Sequence, residues 1–426
     1  MKKILVRGPA LTRSGYGEHT RFILRSLRTC EDLFDIYLLP VNWGSTGWIY
    51  EDSEERRWLD SIITKTTVYN QQEQPQYDMS MQVTIPNEWE KMAPINIGVT
   101  AGVETTRVSP LWIEKGNFVD KIITISDFSK NSYKNTVYTV TDNDTNQVVN
   151  DKYCCTTPFE VVHYPVRHTD IEEIDLNLTT EFNFLINAQW APRKNLENTI
   201  AWFIEEFIDQ NVGLILKANI VNNSIIDRIE TEKRLKNVID RYPQKKCKIY
   251  LLHGDLTAAE INSLYCHEKI KALISLSHGE GFGLPIFEAA YNGLPIIAPD
   301  WSGHVDYLYM KVKDKKGKIK NKPHYARVDY DLAPVQKEVI WKDVLIKNSM
   351  WCYPRPGSYK MRLREVYKDH GRFKSQAKRL KKHLCDNFKP EMKYKEVVDI
   401  VKSLVPETAK DKEINSMFDE LMANSN

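Results

Sequence analysis

The stretch Ala272-Leu-Ile-Ser-Leu-Ser-His-Gly-Glu-Gly-Phe-Gly-Leu-Pro-Ile-Phe-Glu-Ala-Ala-Tyr-Asn-Gly-Leu-Pro-Ile-Ile-Ala298 decides the fold. Ala272–Ser277 reads as an apolar strand. A glycine-rich turn follows, then a helix over Pro285–Asn292, with Pro285 in the first turn, where a missing N–H costs nothing. Gly293 ends the helix, and Pro295–Ala298 is the next strand. A strand that runs through a glycine turn into a helix gathers free backbone N–H groups and a positive helix end at one point, which suits an anion. Gly281 and Gly283 let the backbone come close to a phosphate. Glu280 stands in the turn, and Glu288 lies about two helical turns further on.

The same alternation extends outward from this stretch. Towards the N-terminus it gives strands at Asn183–Asn187, Gly213–Ala218 and Lys248–His253. Helices lie between them at Leu196–Phe207, Asp227–Arg241 and Thr257–Tyr265, the last opened by a Thr257/Glu260 capping box. An earlier series has strands at Ile4–Val6, Phe34–Val41, Met79–Ile85, Ile95–Thr100, Lys121–Ile125 and Phe159–His163, with a helix over Glu18–Arg28 and Ser126 or Ser129 as a cap. Strands separated by helices imply parallel sheets. The expected organisation is an α/β chain of two Rossmann-like units, 1–170 and 171–390, joined near His163–Ile174. The first carries a polar insertion at about 138–158 and the second a basic one at about 310–326. A helical tail, 391–426, packs back on the first unit.

Composition excludes several classes. The chain has 426 residues, 42% of them apolar and 27% charged, which fits a globular protein and not a disordered one. No apolar run reaches the ~18 residues of a transmembrane helix. The opening Met1-Lys-Lys-Ile-Leu-Val-Arg7 is too short in apolar residues for a signal peptide, so a cytoplasmic location is expected. Seven cysteines without a C-x-x-C spacing read as reduced thiols, and no metal site is expected. Basic and acidic residues nearly balance, 59 against 57, but residues 311–389 hold 23 against 8. Such a concentration suits either a polyanionic partner or a solvated helical face plus one loop.

The string at 278–306 resembles the donor-site signature of the retaining family 4 glycosyltransferases, which have the GT-B fold of two Rossmann-like domains facing across a cleft. The resemblance covers the order of elements over most of the chain and short motifs elsewhere. It implies that Glu280 sits beside the transferred sugar. It also implies that the amides of Gly281, Phe282, Gly283 and Leu284 hold sugar and phosphate, and that Glu288 bonds the nucleotide ribose. Asn187-Ala-Gln-Trp-Ala-Pro-Arg193-Lys194-Asn195-Leu196 corresponds to the family's Gly-Arg-x4-Lys-Gly. Lys194 matches the lysine on the diphosphate. Gln189 stands where the family has arginine, so either Arg193 supplies the missing charge or Lys194 and the helix end act alone. Gly15 and Gly17, in Arg13-Ser14-Gly15-Tyr16-Gly17-Glu18, correspond to a glycine loop facing donor and acceptor. Glu104 and Arg107 follow a strand at the carboxyl edge of the sheet. They suit the acceptor side, or a structural pair with each other. Asp142-Asn-Asp144 reads as a turn, and His278, His304 and Asp306 as polar residues at the rim of the turn.

The activity so implied is retaining transfer of a sugar from a nucleotide-sugar to an acceptor hydroxyl, with Glu280, Lys194 and Arg193 at the reacting centre and no metal or other cofactor. The basic segment points to DNA as the acceptor, since some viral enzymes of this fold glycosylate hydroxymethylated pyrimidines in phage-type DNA. A saccharide or lipid-linked glycan is the alternative acceptor, and a small molecule the third. Outside transfer, the alternatives are a sugar-nucleotide epimerase or a non-catalytic binder on the same fold.

Overall fold

The computed structural model describes residues 1–44, 46–72, 74–314 and 317–405. The first sheet contains β1 (Lys2–Gly8), β2 (Phe34–Pro40), β3 (Met79–Val83), β4 (Ile95–Thr100) and β5 (Lys121–Thr124). After a hairpin of β6 (Tyr138–Thr141) and β7 (Val148–Tyr153) it closes with β8 (Phe159–Val161). The second contains β9 (Asn183–Asn187), β10 (Gly213–Lys217), β11 (Lys248–Leu252), β12 (Ile270–Ile274) and β13 (Ile296–Pro299). A hairpin of β14 (Tyr309–Lys313) and β15 (Ile319–Pro323) follows, then β16 (Ala326–Val328) and a hairpin of β17 (Tyr330–Pro334) and β18 (Met350–Pro354). Both six-stranded sheets are parallel, in the orders β2-β1-β3-β4-β5-β8 and β11-β10-β9-β12-β13-β16.

The helices are α1 (Gly15–Arg28), α2 (Glu54–Asn70), α3 (Pro110–Gly116), α4 (Asp127–Lys134), α5 (Leu196–Glu206), α6 (Ile225–Ile239), α7 (Ala258–Cys266), α8 (Leu284–Asn292), α9 (Val305–Leu308), α10 (Pro356–Lys368), α11 (His370–Asn387) and α12 (Pro390–Lys402). None is long and apolar enough to cross a membrane among the described residues.

Helices on both faces bury the inner strands, so all five residues of β3 and of β10 are buried, while the edge strand β11 stays partly exposed. The two polar residues this forces into the core at β3 are satisfied. Ser80 Oγ donates to Asn96 Oδ1 at 2.8 Å and Gln82 Nε2 to the Glu90 carbonyl at 2.6 Å. In each sheet the chain reverses direction across the sheet beside its first strand, at β1/β3 and at β9/β12. Ligands of open α/β sheets collect outside the carboxyl ends of strands at such reversals. The loops after β9 and β12 carry Lys194 and Glu280. The loops after β1 and β4 carry Gly15 and Glu104.

The structure departs from the sequence reading in places. Helices α2 and α3 were not anticipated. In α2 only Leu59, Ile62 and Thr66 are buried, too sparse a stripe to register as a helical period. The strand expected at Ala272–Ser277 is Ile270–Ile274, because the last residues peel away towards the loop after β9. The basic stretch Lys360–Lys382, part of the segment read as a solvated helical face, is helical but breaks at Asp369. Its two parts face different cores: Tyr359, Leu363 and Val366 pack with the α5 side, Leu380 and Leu384 with α8. In the tail, α12 buries Val397, Val398 and Val401 and lies against α1. Residues 406–426 of the expected tail lie outside the described residues.

Two glycines separate steric need from mere tolerance. A Cβ on Gly98 in β4 would lie 2.5 Å from the Trp89 ring, whereas one on Gly357 in α10 meets nothing within 4 Å. Gly98→Ala is expected to cost about 1–3 kcal/mol, and Gly357→Ala to add about 0.5–1 kcal/mol, in urea unfolding of the full chain. Equal effects of the two substitutions would contradict this packing.

Candidate functional site

Two loops of the second half meet above the β9/β12 reversal. The chain after β9 makes a 3₁₀ turn at Pro192–Lys194, then enters α5 through Asn195 in the left-handed conformation, φ +53°. The chain after β12 is tied to it, since His278 N–H donates to the Arg193 carbonyl at 2.8 Å. This brings Lys194 Nζ to 2.5 Å from Glu280 Oε1 and Arg193 Nη1 to 3.1 Å from Oε2. Arg193 also donates to the Gly279 carbonyl at 2.6 Å and stands 3.3 Å from Glu104 of the first half.

The turn is braced from behind. Ser302, at φ +84°, accepts from Glu280 N–H at 2.9 Å, and Gly303 N–H donates to the Glu280 carbonyl at 2.8 Å. Residue 303 must be small, because a Cβ there would fall 1.9 Å from the Gly281 carbonyl oxygen.

Glu280 is only 6% exposed. Burial pushes its carboxyl up, but Lys194 and Arg193 outweigh that and hold it at about 2. Burial pulls the Lys194 ammonium below its usual range, with Glu280 opposing and Arg193 reinforcing the fall. For Arg193, burial is outweighed by Glu104 and Glu280, which raise it further. Two cations and two carboxylates therefore share one secluded place, and each cation has a carboxylate partner.

The first half presses directly on this turn. Cβ atoms on Gly279 and Gly281 would lie 2.5 Å from the Glu104 carbonyl and 2.6 Å from that of Ala101. Ser126, the N-cap of α4, donates its hydroxyl to the Gly281 carbonyl at 2.6 Å. Tyr164 donates to the Gly15 carbonyl at 3.2 Å and packs edge-on to Phe282, so the start of α1 reaches the turn through that ring. Gly17 sits tight on the Thr12 carbonyl, where a Cβ would be 2.1 Å away. Asp306 accepts from Asp127 N–H at 2.7 Å and lies 3.1 Å from His163 Nε2.

Gly283, at φ +86°, begins α8 without a side-chain cap, which leaves that helix end to backbone groups, and Leu284 is its first residue. Glu288 lies deeper along α8, apart from the charge cluster. It accepts from Tyr265 O–H at 3.0 Å, and Asn187 in turn donates to that hydroxyl. Burial pushes the Glu288 carboxyl up to about 7; Tyr265 opposes this and Glu18 adds to it.

Several sequence-marked residues prove to be elsewhere or otherwise engaged. Gln189 donates to the Ile220 carbonyl at 2.7 Å, so Arg193 rather than position 189 contributes the second cation of the cluster. The pairing of Arg107 with Glu104 is not formed. Arg107 donates to the Val137 carbonyl and lies over the Tyr138 ring, while Glu104 pairs with Arg193. Asp142 accepts from Asp144 N–H and Thr145 N–H in a hairpin turn. His278 stacks on Trp351 and bonds the Cys352 carbonyl, and His304 bonds the Pro299 carbonyl. Both imidazoles are therefore committed to packing. Ser126 was marked from the sequence only as a candidate helix cap, and Ser302 and Tyr265 were not marked at all. A lone serine or tyrosine carries no periodic signal, and only the meeting of distant loops reveals these three.

No family model matches the chain. Over 121 residues it is 31% identical to the serotype-specific mannosyltransferase WbdA of Escherichia coli. That match takes in 28% of this chain and 13% of the relative, so the chain spans only a small part of that protein. Among solved structures, the fold is similar to a sucrose-phosphate synthase from Thermosynechococcus elongatus. The TM-score is 0.62 at 11% identity, over 95% of this chain and 99% of that one. It is also similar to a glycosyltransferase from Rickettsia africae, with a TM-score of 0.55 at 13% identity, over 96% and 99%. The architecture is the GT-B fold, as the sequence led one to expect.

The raised Glu288 carboxyl has a consequence for stability. Between about pH 4.5 and 7 the folded protein keeps a proton that the unfolded chain has released, so stability falls across that window and levels off above it. Glu288→Gln is expected to melt above wild type at pH 8, by about 1–2 kcal/mol after allowance for solvent screening, and to converge with it near pH 4. A pH-independent difference in calorimetry would refute the raised carboxyl.

Proposed function

We propose that the protein is a retaining glycosyltransferase that moves a sugar from a nucleotide-sugar to an acceptor hydroxyl, with residues 1–170 forming the acceptor side and 171–390 the donor side. The observation that carries this reading is the convergence of Lys194 and Arg193 on Glu280 beside the uncapped start of α8. In this reading the donor diphosphate takes the place between the two cations and the amides of Gly281, Phe282, Gly283 and Leu284, near the glycine loop of Gly15 and Gly17. Glu288 accepts from the ribose hydroxyls, a charge-assisted bond when the carboxylate is ionised. Glu280 lies against the sugar, and Glu104 faces the acceptor. Arg107, turned towards the hairpin of β6 and β7, is left on the outer part of the acceptor side.

The chemical demand is stabilisation of negative charge growing on the leaving diphosphate. Fixed donors in a water-poor site meet it well, because they need no reorganisation when the bond breaks. Lys194 and Arg193 supply that charge without a metal. The departing phosphate oxygen takes the acceptor proton, and the acceptor attacks from the same face, which retains the anomeric configuration. Contacts such as Ser126 to Gly281 exclude water when the halves close, and so limit donor hydrolysis.

Two acceptor chemistries rest on separate observations. The basic segment 311–389 supports a hydroxymethylated pyrimidine in DNA, and the partial likeness to a mannosyltransferase supports a saccharide.

Thermal shift against UDP-, GDP-, ADP- and CMP-sugars is expected to single out one donor, and Glu288→Ala to abolish that shift. Lys194→Ala is expected to lower turnover by about 10²–10³, with the product's anomeric configuration read by NMR. A Lys194→Ala enzyme at full speed, or a new sugar epimer formed from donor alone, would refute the transferase assignment.

A further inference from the structure

Hairpin β14–β15 interrupts the connection between β13 and β16, which are neighbours in the second sheet. Among the described residues its strands pair with each other and with no other strand. The register sets Lys311 opposite Asn321, Lys313 opposite Ile319, Lys320 opposite Val312 and Lys322 opposite Met310. Lys311 and Lys313 therefore project from one face, Lys320 and Lys322 from the other, and no lysine faces another directly, which limits cross-strand repulsion. All four are exposed, as is Lys318.

Helix α11 turns Phe373, Ala377, Leu380 and Leu384 inward. Its exposed Lys374, Lys378, Arg379, Lys381 and Lys382 form no ion pair among the described residues. Other cations of this segment behave differently: Lys320 on the hairpin pairs with Asp314 at 3.2 Å, and Arg327, Arg362 and Arg364 are each held by a carboxylate. Met310 of the hairpin packs against the same core cluster that takes in Leu380 and Leu384 of α11, and His324, at the foot of the hairpin, lies within reach of the charges of Arg379 and His383, so the two basic surfaces adjoin. Both rest on elements that carry the site. Helix α11 packs on α8, and the hairpin follows α9, whose Tyr307 hydroxyl donates to the Phe282 and Gly283 carbonyls.

We propose that hairpin β14–β15 and the outer face of α11 form one docking surface for the phosphate backbone of duplex DNA, which brings an acceptor base to the cleft. This rests on the transferase reading and names its substrate class. A two-stranded ribbon fits the major groove. The 18 residues of α11 span about 27 Å, roughly eight base-pair steps. An anionic membrane would call for large apolar side chains among the cations. Ile319 is the one exposed large apolar residue of these elements among those described.

The test is fluorescence anisotropy of a labelled 20-base-pair duplex with the full chain from 50 to 300 mM KCl. The expected result is tight binding at low salt, with log K falling against log salt at a slope of about −4 or steeper. A Lys311→Ala/Lys313→Ala/Lys320→Ala/Lys322→Ala variant should lose at least tenfold in affinity and flatten the slope while keeping its donor thermal shift. Lys374→Gln/Lys378→Gln/Lys382→Gln on α11 is expected to behave likewise. A slope near zero, variants that bind as wild type does, or binding to phosphatidylglycerol vesicles but not to duplex would each overturn the surface. Duplex binding without any donor shift leaves the surface standing and refutes the transferase reading. A donor shift without duplex binding does the reverse.

Discussion

The molecule is organised around a carboxylate that burial disfavours and two cations that make it tolerable. Glu280 has little access to water, and Lys194 and Arg193 keep it ionised. Unpaired, any of these charges would be costly at such a depth. The loops after β9 and β12 must therefore arrive together, and the Ser302–Gly303 loop behind them fixes where. Arg193 extends the constraint to Glu104, so the closed relation of the two halves is written into the same group of charges.

Much of this was legible in the sequence, for physical reasons that differ from element to element. Buried parallel strands such as β10 and β12 are short apolar runs between turn residues, and their alternation with helices implies the two sheets. The capping box at Thr257 and Glu260 is formed as the spacing requires. The glycine turn at 279–283 was visible because close backbone approach at Gly279 and Gly281, and a left-handed backbone at Gly283, each favour glycine. Helices α2 and α3 were hidden because tertiary packing, not a periodic stripe, holds them. The break at Asp369 was hidden because the two helices face different cores, a fact that no local pattern encodes.

In the site, four charged residues marked from the sequence come together, whereas residues that matter through their position were not marked for the site. Lys194, Arg193, Glu104 and Glu280 meet. Arg107, equally basic and only three residues from Glu104, points away because its backbone has already turned towards the β6–β7 hairpin. Glu288 lies in its helix as its spacing requires, yet its carboxyl is raised by burial against the opposing bond from Tyr265, which spacing cannot reveal.

The β14–β15 ribbon leaves and rejoins the chain between strands that are already side by side. Its length is thus uncoupled from the register of the sheet. Trimming or exchanging it alters what the molecule meets outside while the hydrogen-bond ladder beneath stays intact. Relatives can diverge fastest at that point, and it offers a protein engineer a natural graft site.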